Sequence, residues 1–139
     1  MSPLDKEVLA EKTAVVERHL SRVRERLPKE APQLRPSTDA SDVVILHLWQ
    51  AVQIVIDIAL AACVSNNLGT PASYADAFRR LADAGILEKT LAERLVLSTG
   101  FRNAIVHTYE NLDMAKVYEA ASKGPNDLRR FLATLRDQL

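Results

Sequence analysis

Residues 43–64 read VVILHLWQAVQIVIDIALAACV, and this apolar stretch sets the architecture expected for the rest of the chain. Apolar side chains fall on nearly every side of a helix drawn through it, which is typical of a central helix that contacts several neighbours or a second subunit. Four polar residues interrupt the stretch, namely His47, Gln50, Gln53 and Asp57. These interruptions favour a buried core helix over a membrane span.

The amino-terminal sequence predicts a first helix over residues 2–27. Its apolar residues recur at helical spacing, Ser2 is the expected cap, and Pro3 stands at the first helical position. Three prolines then forbid helix, and a second helix over residues 39–66 is expected after a cap among residues 37–39.

The carboxyl-terminal half predicts the remaining helices. We expect a short third helix over residues 73–85 and a fourth over residues 86–109. Gly124 and Pro125 are helix breakers, so they are expected to separate a fifth segment from a last helix over residues 126–138. The sequence shows no strand pattern or repeat. It therefore predicts an all-α fold, an up-and-down bundle of four to five helices with short connections.

The composition fits a single helical domain over residues 1–139. Of the 139 residues, 47% are hydrophobic and only four are glycine, which is enough apolar material for one packed core. Lysine and arginine together number 18, as do aspartate and glutamate, so the chain has no global positive field of the kind that coats nucleic acid. Any contact with nucleic acid must therefore be local.

The amino terminus and the cysteine content indicate a cytoplasmic protein. The opening residues, MSPLDKEVLAEK, are charged where a secretory signal would be apolar. The single cysteine, Cys63, excludes an internal disulfide, and its apolar neighbours favour a small core residue over a nucleophile or metal ligand. We expect no membrane segment.

Three polar residues outside the main motif also carry expectations. His19 and His47 are interpreted as packed or partly exposed imidazoles, because a second metal ligand one helical turn away is missing. Asp57 lies within IVIDIAL, where a carboxylate is costly to bury unless it is paired. We expect its partner to be an arginine of the motif helix.

Residues 100–110, GFRNAIVHTYE, gather the candidate chemistry in Arg102, Asn103, His107 and Tyr109. An imidazole can move a proton near neutral pH, while a guanidinium stays charged and holds a phosphate through a planar fork of donors. On one helix Arg102 and His107 point about 140° apart, and Tyr109 lies two turns beyond Arg102. Asn103 lies one turn before His107. The arrangement suits phosphodiester chemistry.

Apolar residues share the sector of these polar groups, which is unusual for a face that meets only water. They are Leu95, Val96 and Val106. Gly100 adds to the pattern, because a glycine inside a helix costs about 1 kcal/mol relative to alanine and is often kept where another backbone comes close. We therefore expect a second surface to pack against this part of the helix.

The motifs of most enzyme classes are missing from the chain. It has no Walker loop, no glycine-rich dinucleotide turn, no cysteine and histidine metal spacing and no serine in a nucleophile elbow. A metal-independent ribonuclease without a cofactor fits the motif, since RNA carries its own nucleophile in the 2′-hydroxyl. His107 would be the base and Arg102 the cation that stabilises the phosphoryl oxygens. Asn103 would orient the imidazole or donate to a phosphate, or be a simple surface amide.

The run RNAIVHTY resembles the motif of the HepT-like ribonuclease toxins, a branch of the HEPN superfamily of small helical RNA-cleaving proteins. The similarity extends over about residues 40–120 and includes residues 71–81, residues 85–87 and the pattern from Gln53 to Asp57. The resemblance implies a homodimer in which two motifs face each other and form one cleft.

The resemblance also implies a partner. Toxins of this family are usually encoded with a minimal nucleotidyltransferase antitoxin that transfers AMP to the motif tyrosine, and Tyr109 matches that position. A phenol carrying adenylate would place bulk and negative charge beside Arg102 and compete with RNA. Alternatively, Tyr109 simply packs its ring at the helix end.

Two functions therefore remain from the sequence. The first is an RNA-cleaving toxin of a toxin–antitoxin system. The second is a non-catalytic HEPN-like module that binds a nucleotide or its nucleotidyltransferase partner, with Arg102 as a phosphate clamp only. A bundle that merely dimerises leaves the clustered motif unexplained.

Overall fold

The regular structure of the chain is helical. The computed structural model describes residues 4–139, and the α-helices in this range are α1 (Lys6–Arg26), α2 (Asp39–Ser65), α3 (Tyr74–Asp83), α4 (Lys89–Thr108) and α5 (Met114–Gln138). Two 3-10 turns, Ala31–Gln33 and Tyr109–Asn111, complete it, and no strand occurs within this range. The prediction of an all-α bundle is confirmed, with five helices.

Helix α2 is the central element of the bundle. It packs against α1, α3, α4 and α5, and it is the only helix in the described range that contacts all the others. Its buried residues are Ser41, Val44, Ile45, Leu48, Ala51, Val52, Val55, Ile56, Ile58, Ala59, Ala62 and Cys63. Burial of so many apolar side chains is the main favourable term in forming the bundle.

The same apolarity makes α2 resemble a membrane span by length and composition alone. Half of its most apolar window is nevertheless buried inside the bundle, and the core helix of a soluble protein passes the same test. We therefore describe α2 as a core helix, in agreement with its four polar interruptions.

Cys63 belongs to this core. Its side chain is fully buried, its thiol lies 3.4 Å from the carbonyl oxygen of Ala77, and burial raises the pKa of the thiol. A protonated, buried thiol is unreactive, so the prediction of a small core residue is confirmed.

The helix starts depend on local caps. In the described residues α1 is capped by the carboxylate of Asp5, which accepts from the backbone N–H of Val8 at 2.8 Å, while the expected cap at Ser2 and Pro3 lies outside the described residues. Thr38 and Ser41 form a reciprocal capping box at the start of α2. The backbone N–H of Ser41 donates to Thr38 Oγ1 at 3.1 Å, and the backbone N–H of Thr38 donates to Ser41 Oγ at 3.0 Å. Ser73 caps α3 as predicted.

The predicted start of α4 at residue 86 is wrong, since the helix begins at Lys89. The backbone N–H groups of Ile86 and Leu87 instead bond the carbonyl of Leu81, at 3.0 and 3.3 Å, and so complete the end of α3. Gly85 supplies the left-handed conformation that this ending requires, with φ of +77°.

The predicted break at Gly124 and Pro125 is also wrong, because α5 runs without interruption through both. A proline removes one backbone donor, whereas the apolar stripe of α5 continues on one face across it. The buried residues of this helix are Val117, Ala121, Asp127, Leu128, Phe131, Leu132 and Leu135. The carboxylate of Asp127, only 4% exposed, accepts from Arg94 Nε at 2.8 Å and ties α5 to α4.

His19 of α1 and His47 of α2 meet between their helices, with the two Nδ1 atoms 2.9 Å apart. One imidazole must therefore donate and the other accept, which requires the accepting ring to be neutral and excludes a pair of protonated rings. Partial burial is the main cause that lowers the pKa of both histidines, and the positive charges of Arg18 and Arg22 add to it, while Glu25 opposes it for His47. The prediction of packed, partly exposed imidazoles is confirmed by the partial burial of both.

We predict that the free energy of unfolding falls as the pH drops through the ordinary histidine pKa of 6.5. Both histidines have a lower pKa in the folded state than in the unfolded chain. As the pH falls, the unfolded chain therefore binds protons at a higher pH than the folded protein does, which stabilises the unfolded state. Urea midpoints at pH 8 and pH 5.5 measure the effect. His47→Gln should flatten the decline, and an equal decline in wild type and variant would contradict the prediction.

Candidate functional site

The motif residues lie at the carboxyl end of α4 and in the turn that follows. Arg102, Asn103 and His107 belong to α4, which ends at Thr108, and Tyr109 begins the 3-10 turn Tyr109–Asn111. Thr108 leaves the helical conformation, with φ of −139° and ψ of 34°. The prediction that α4 includes Tyr109 is therefore wrong, and the helical projection of Tyr109 onto the side of Arg102 does not apply.

Arg102 is held by side chains from three helices. Its Nε donates to Gln53 Oε1 of α2 at 2.9 Å, and its Nη1 donates to Asn103 Oδ1 at 3.1 Å. The ring of Tyr74, the first residue of α3, lies under the guanidinium with 5.0 Å between Cζ and the ring centroid. These contacts orient the guanidinium while engaging only part of its five N–H donors, so the rest can bind an anion.

Gln53 owes its orientation to Asp57, one turn further along α2. The Gln53 Nε2 atom donates to Asp57 Oδ1 at 3.0 Å, which leaves the amide oxygen to face Arg102. The expectation of a buried Asp57 paired directly with an arginine is wrong, since Asp57 is exposed and reaches Arg102 only through Gln53. An exposed carboxylate keeps its hydration and needs no charged partner.

Asn103 and His107 are both exposed on α4. The side-chain oxygen of Asn103 accepts from Arg102, so within one chain Asn103 positions the guanidinium and not the imidazole. Exposure leaves the imidazole of His107 accessible to a substrate. Its role as a base stays a prediction.

Tyr109 is anchored at the amino-terminal end of α2. Its hydroxyl donates to Asp42 Oδ1 in the first turn of that helix at 3.0 Å, and 46% of the residue is exposed. Partial burial and then the bond to the Asp42 carboxylate raise the pKa of the phenol. Both residues line an open pocket of about 370 Å³. Tyr109 therefore does more than pack its ring at the helix end, because its hydroxyl also binds Asp42.

Three residues that hold the motif were not predicted as site residues from the sequence: Asp42, Gln53 and Tyr74. The four-residue spacing of Gln53 and Asp57 was a usable signal, because such pairs are neighbours on a helix. Asp42 and Tyr74 gave no comparable signal, since they lie far from the motif in the chain and reach it only through the packing of the bundle.

The comparison with known proteins covers nearly all of this structure. Residues 16–135 match the family model described as Ribonuclease HepT-like. This chain belongs to the HepT-like ribonuclease family. Every motif residue and every contact residue of Arg102 and Tyr109 lies inside the matched range, so the resemblance seen in RNAIVHTY is confirmed at the level of the family.

This HepT-like chain is similar to a nuclease and to toxins from toxin–antitoxin complexes. The chain is 26% identical to the mRNA nuclease HepT of Shewanella oneidensis over 130 residues, which is 94% of this chain and 97% of the relative. It superposes with a TM-score of 0.83 on a tri-AMPylated Shewanella oneidensis HEPN toxin in complex with an MNT antitoxin, at 26% identity and 94% and 97% coverage. A toxin–antitoxin structure with AMP-PNP superposes with a TM-score of 0.85, at 25% identity and 94% and 98% coverage.

A groove larger than the Tyr109 pocket lies elsewhere on α4 of this HepT-like chain. It has a volume of about 560 Å³, is formed with α2 and α5, and includes Leu97, Phe101 and Ala104 but neither Arg102 nor His107. We do not place the chemistry there, because the groove lacks both motif residues. Leu97 is 75% exposed, which is unusual for a leucine in a folded bundle.

Gly100 lines the same groove, and a Cβ atom at this position would meet nothing within 4 Å in the single chain. The expected close approach to Gly100 is therefore not made by any described part of the same HepT-like chain. A second surface at this glycine stays a prediction.

Proposed function

We propose that this protein is the toxin of a toxin–antitoxin system and that it cleaves RNA without a metal ion in the cytoplasm. The observation that carries the proposal is the fixed position of the Arg102 guanidinium, which contacts Gln53, Asn103 and Tyr74. Arg102 lies on the same helix as His107, which is exposed. Membership of the HepT-like ribonuclease family supports it, as does the likeness to an mRNA nuclease and to toxins bound to antitoxins.

The proposed reaction uses the nucleophile of RNA itself. His107 draws the proton from a 2′-hydroxyl, and the oxygen attacks the adjacent phosphorus. The bond from that phosphorus to the 5′-oxygen of the next nucleotide breaks, which leaves a 2′,3′-cyclic phosphate on one fragment, while the departing 5′-oxygen takes up a proton and leaves as a hydroxyl. Arg102 stabilises the negative charge that grows on the phosphoryl oxygens, and Asn103 and Gln53 keep the guanidinium in place. The reaction requires no metal, and residues 4–139 contain no group of three or more histidine, cysteine, aspartate or glutamate side chains placed to hold one.

A homodimer completes the proposed site. A second copy would cover the groove at Gly100 and bring its own Arg102 and His107 opposite the first pair. Two features support an apolar partner on the Gly100 side of α4: the 75% exposure of Leu97 and the open space at Gly100. RNA would then bind in the cleft between the two motifs.

The proposed partner is a minimal nucleotidyltransferase antitoxin that transfers AMP to Tyr109. The Tyr109 hydroxyl lies at an open pocket, where a second protein can reach it. The relative from Shewanella oneidensis was solved as a tri-AMPylated toxin in complex with its MNT antitoxin. Adenylates on Tyr109 would add negative charge to the motif and compete with RNA phosphates for Arg102.

We predict that Arg102→Ala and His107→Ala each remove RNA cleavage and growth toxicity. Loss of a general base costs roughly 10²–10⁴-fold in rate, and loss of an electrostatic donor roughly 10²–10³-fold. Cleavage of total RNA and colony counts measure the effects, circular dichroism checks the fold, and EDTA should leave wild-type activity unchanged.

The matched control for that experiment is Arg79→Ala, which removes an exposed arginine paired with Glu93 on α4. It should keep wild-type activity, because a surface ion pair contributes little. A His107→Ala variant that degrades RNA at the wild-type rate would overturn the catalytic assignment and favour a non-catalytic module that binds nucleotide or the antitoxin.

We predict a homodimer that Gly100→Leu weakens together with RNA cleavage. In a single chain the new side chain meets open space, and leucine is a better helix former than glycine, so the chain itself should not be destabilised. A facing helix would be held away. Light scattering at micromolar concentration measures the dimer, and a monomeric wild type would refute this arrangement.

We predict that Tyr109→Phe stays folded and active but escapes the antitoxin. The change removes the only oxygen to which AMP can attach at this position and keeps the ring. Mass spectrometry after incubation with the nucleotidyltransferase, ATP and Mg²⁺ should find AMP on the Tyr109 peptide of wild type and of the control Tyr118→Phe. Wild-type toxin neutralised without modification would mean that the antitoxin acts by binding alone.

A further inference from the structure

The contact between Tyr109 and Asp42 joins residues that are 67 positions apart in the chain. The phenolic hydroxyl donates to Asp42 Oδ1 at 3.0 Å. Its acceptor is an exposed aspartate in the first turn of α2, where carboxylates are favoured by the helix dipole and need no second partner. Neither helix stability nor core packing therefore requires the phenol at this carboxylate.

The backbone below Asp42 is rigidly placed. Its N–H donates to the carbonyl of Thr38 at 2.9 Å, and Thr38 and Ser41 form the reciprocal cap of α2. The carboxylate therefore stands at a fixed start of the longest helix in the described chain, while Tyr109 comes from the short turn after α4.

The pocket around the hydroxyl is open and acidic. Its volume is about 370 Å³, and it is lined by Pro36, Ser37, Asp42, Ile45, Tyr109, Glu110, Leu112 and Met114. The two ionisable groups beside the phenol are thus the carboxylates of Asp42, on α2, and Glu110, on the 3-10 turn, and only Asp42 bonds the phenol. No lysine or arginine lines this pocket to stabilise a phenolate.

A phenol in this environment keeps its proton. Burial and the bond to Asp42 raise the pKa of Tyr109, so the phenolate is scarce near neutral pH. The neutral phenol is a poor nucleophile toward phosphorus, and a base in contact with its proton removes this obstacle. Asp42 Oδ1 is in hydrogen-bond contact with that proton.

We propose that Asp42 orients the Tyr109 hydroxyl and accepts its proton when AMP is transferred to it from ATP. This inference rests on the proposed modification of Tyr109 and adds to it a catalytic residue contributed by the modified protein itself. The bond from Tyr109 Oη to the α-phosphorus forms, the bond from the α-phosphorus to the bridging oxygen breaks, and pyrophosphate leaves. The phenolic proton passes to the Asp42 carboxylate and then to solvent.

The test compares Asp42→Asn with wild type in the rate of AMP transfer to Tyr109. Asparagine keeps an oxygen that can accept from the phenol but cannot take up a proton at neutral pH, so it separates orientation from proton transfer. The toxin is incubated with the nucleotidyltransferase, ATP and Mg²⁺, and mass spectrometry follows the Tyr109 peptide. We expect a rate at pH 7 that is lower by roughly 10²-fold or more, within the range of general base catalysis.

The pH profile identifies the mechanism. In Asp42→Asn the transfer rate should rise about tenfold per pH unit, as the phenolate replaces the missing base, and the deficit against wild type should shrink at high pH. Loss of the carboxylate should also lower the pKa of Tyr109, measured by phenolate absorbance as the difference from Tyr109→Phe. The change in this pKa confirms the contact between the two groups, and the slope identifies the base, because a merely structural role of Asp42 would leave the slope unchanged.

Asp39→Asn is the matched control, because it removes another exposed carboxylate from the first turn of α2 without touching Tyr109. It should be modified at the wild-type rate. Equal rates for Asp42→Asn and wild type across the pH range would overturn the role of Asp42 alone. A wild type that acquires no AMP would overturn the proposed modification and this inference with it.

Discussion

The burial of α2 is the constraint on which the rest of the structure depends. A helix that is apolar on most sides cannot stand at a surface, so other helices must cover it, and α1, α3, α4 and α5 all do. Gln53 is only partly buried and Asp42 is exposed, and each accepts a hydrogen bond from the motif. The core helix thereby becomes the platform of the candidate site.

Hydrogen bonds to side chains of α2 hold the motif residues Arg102 and Tyr109 in defined positions. A single arginine on an exposed helix samples many rotamers, and fixing it costs side-chain entropy of up to about 2 kcal/mol. Gln53, Asn103 and Tyr74 limit that freedom before any ligand arrives. A preorganised guanidinium binds a phosphate with less loss of entropy, which is the general condition for strong electrostatic stabilisation.

The sequence predicted the features that depend on helical periodicity and local caps. Apolar stripes placed the helices, and the starts of α2, among residues 37–39, and of α3, at residue 73, were predicted because capping is a local hydrogen bond; Thr38 and Ser73 are the caps. The failures have a different cause. Pro125 stays inside α5 because tertiary packing outweighs a local breaker. The burial of Asp57 was predicted wrongly because the sequence does not show which face of α2 its neighbours leave exposed. Contacts between helices, such as His19 with His47 and Tyr109 with Asp42, depend on axial register, which periodicity does not determine.

Helix α2 also keeps the proposed modification site, Tyr109, apart from the proposed phosphate-binding residue, Arg102. Asp42 and Gln53 are eleven residues apart on α2, which places their backbones about 16 Å apart along the helix axis. Tyr109 and Arg102 are bonded to these two points, so in the unmodified chain the acceptor hydroxyl and the phosphate-binding guanidinium are held at separate places. In the proposed modification, esterification of the phenol would remove the proton that binds Asp42 and add a negative phosphate next to that carboxylate. Like charges repel, so the modified side chain would lose its anchor. The adenylate would then be free to compete with RNA for the Arg102 guanidinium.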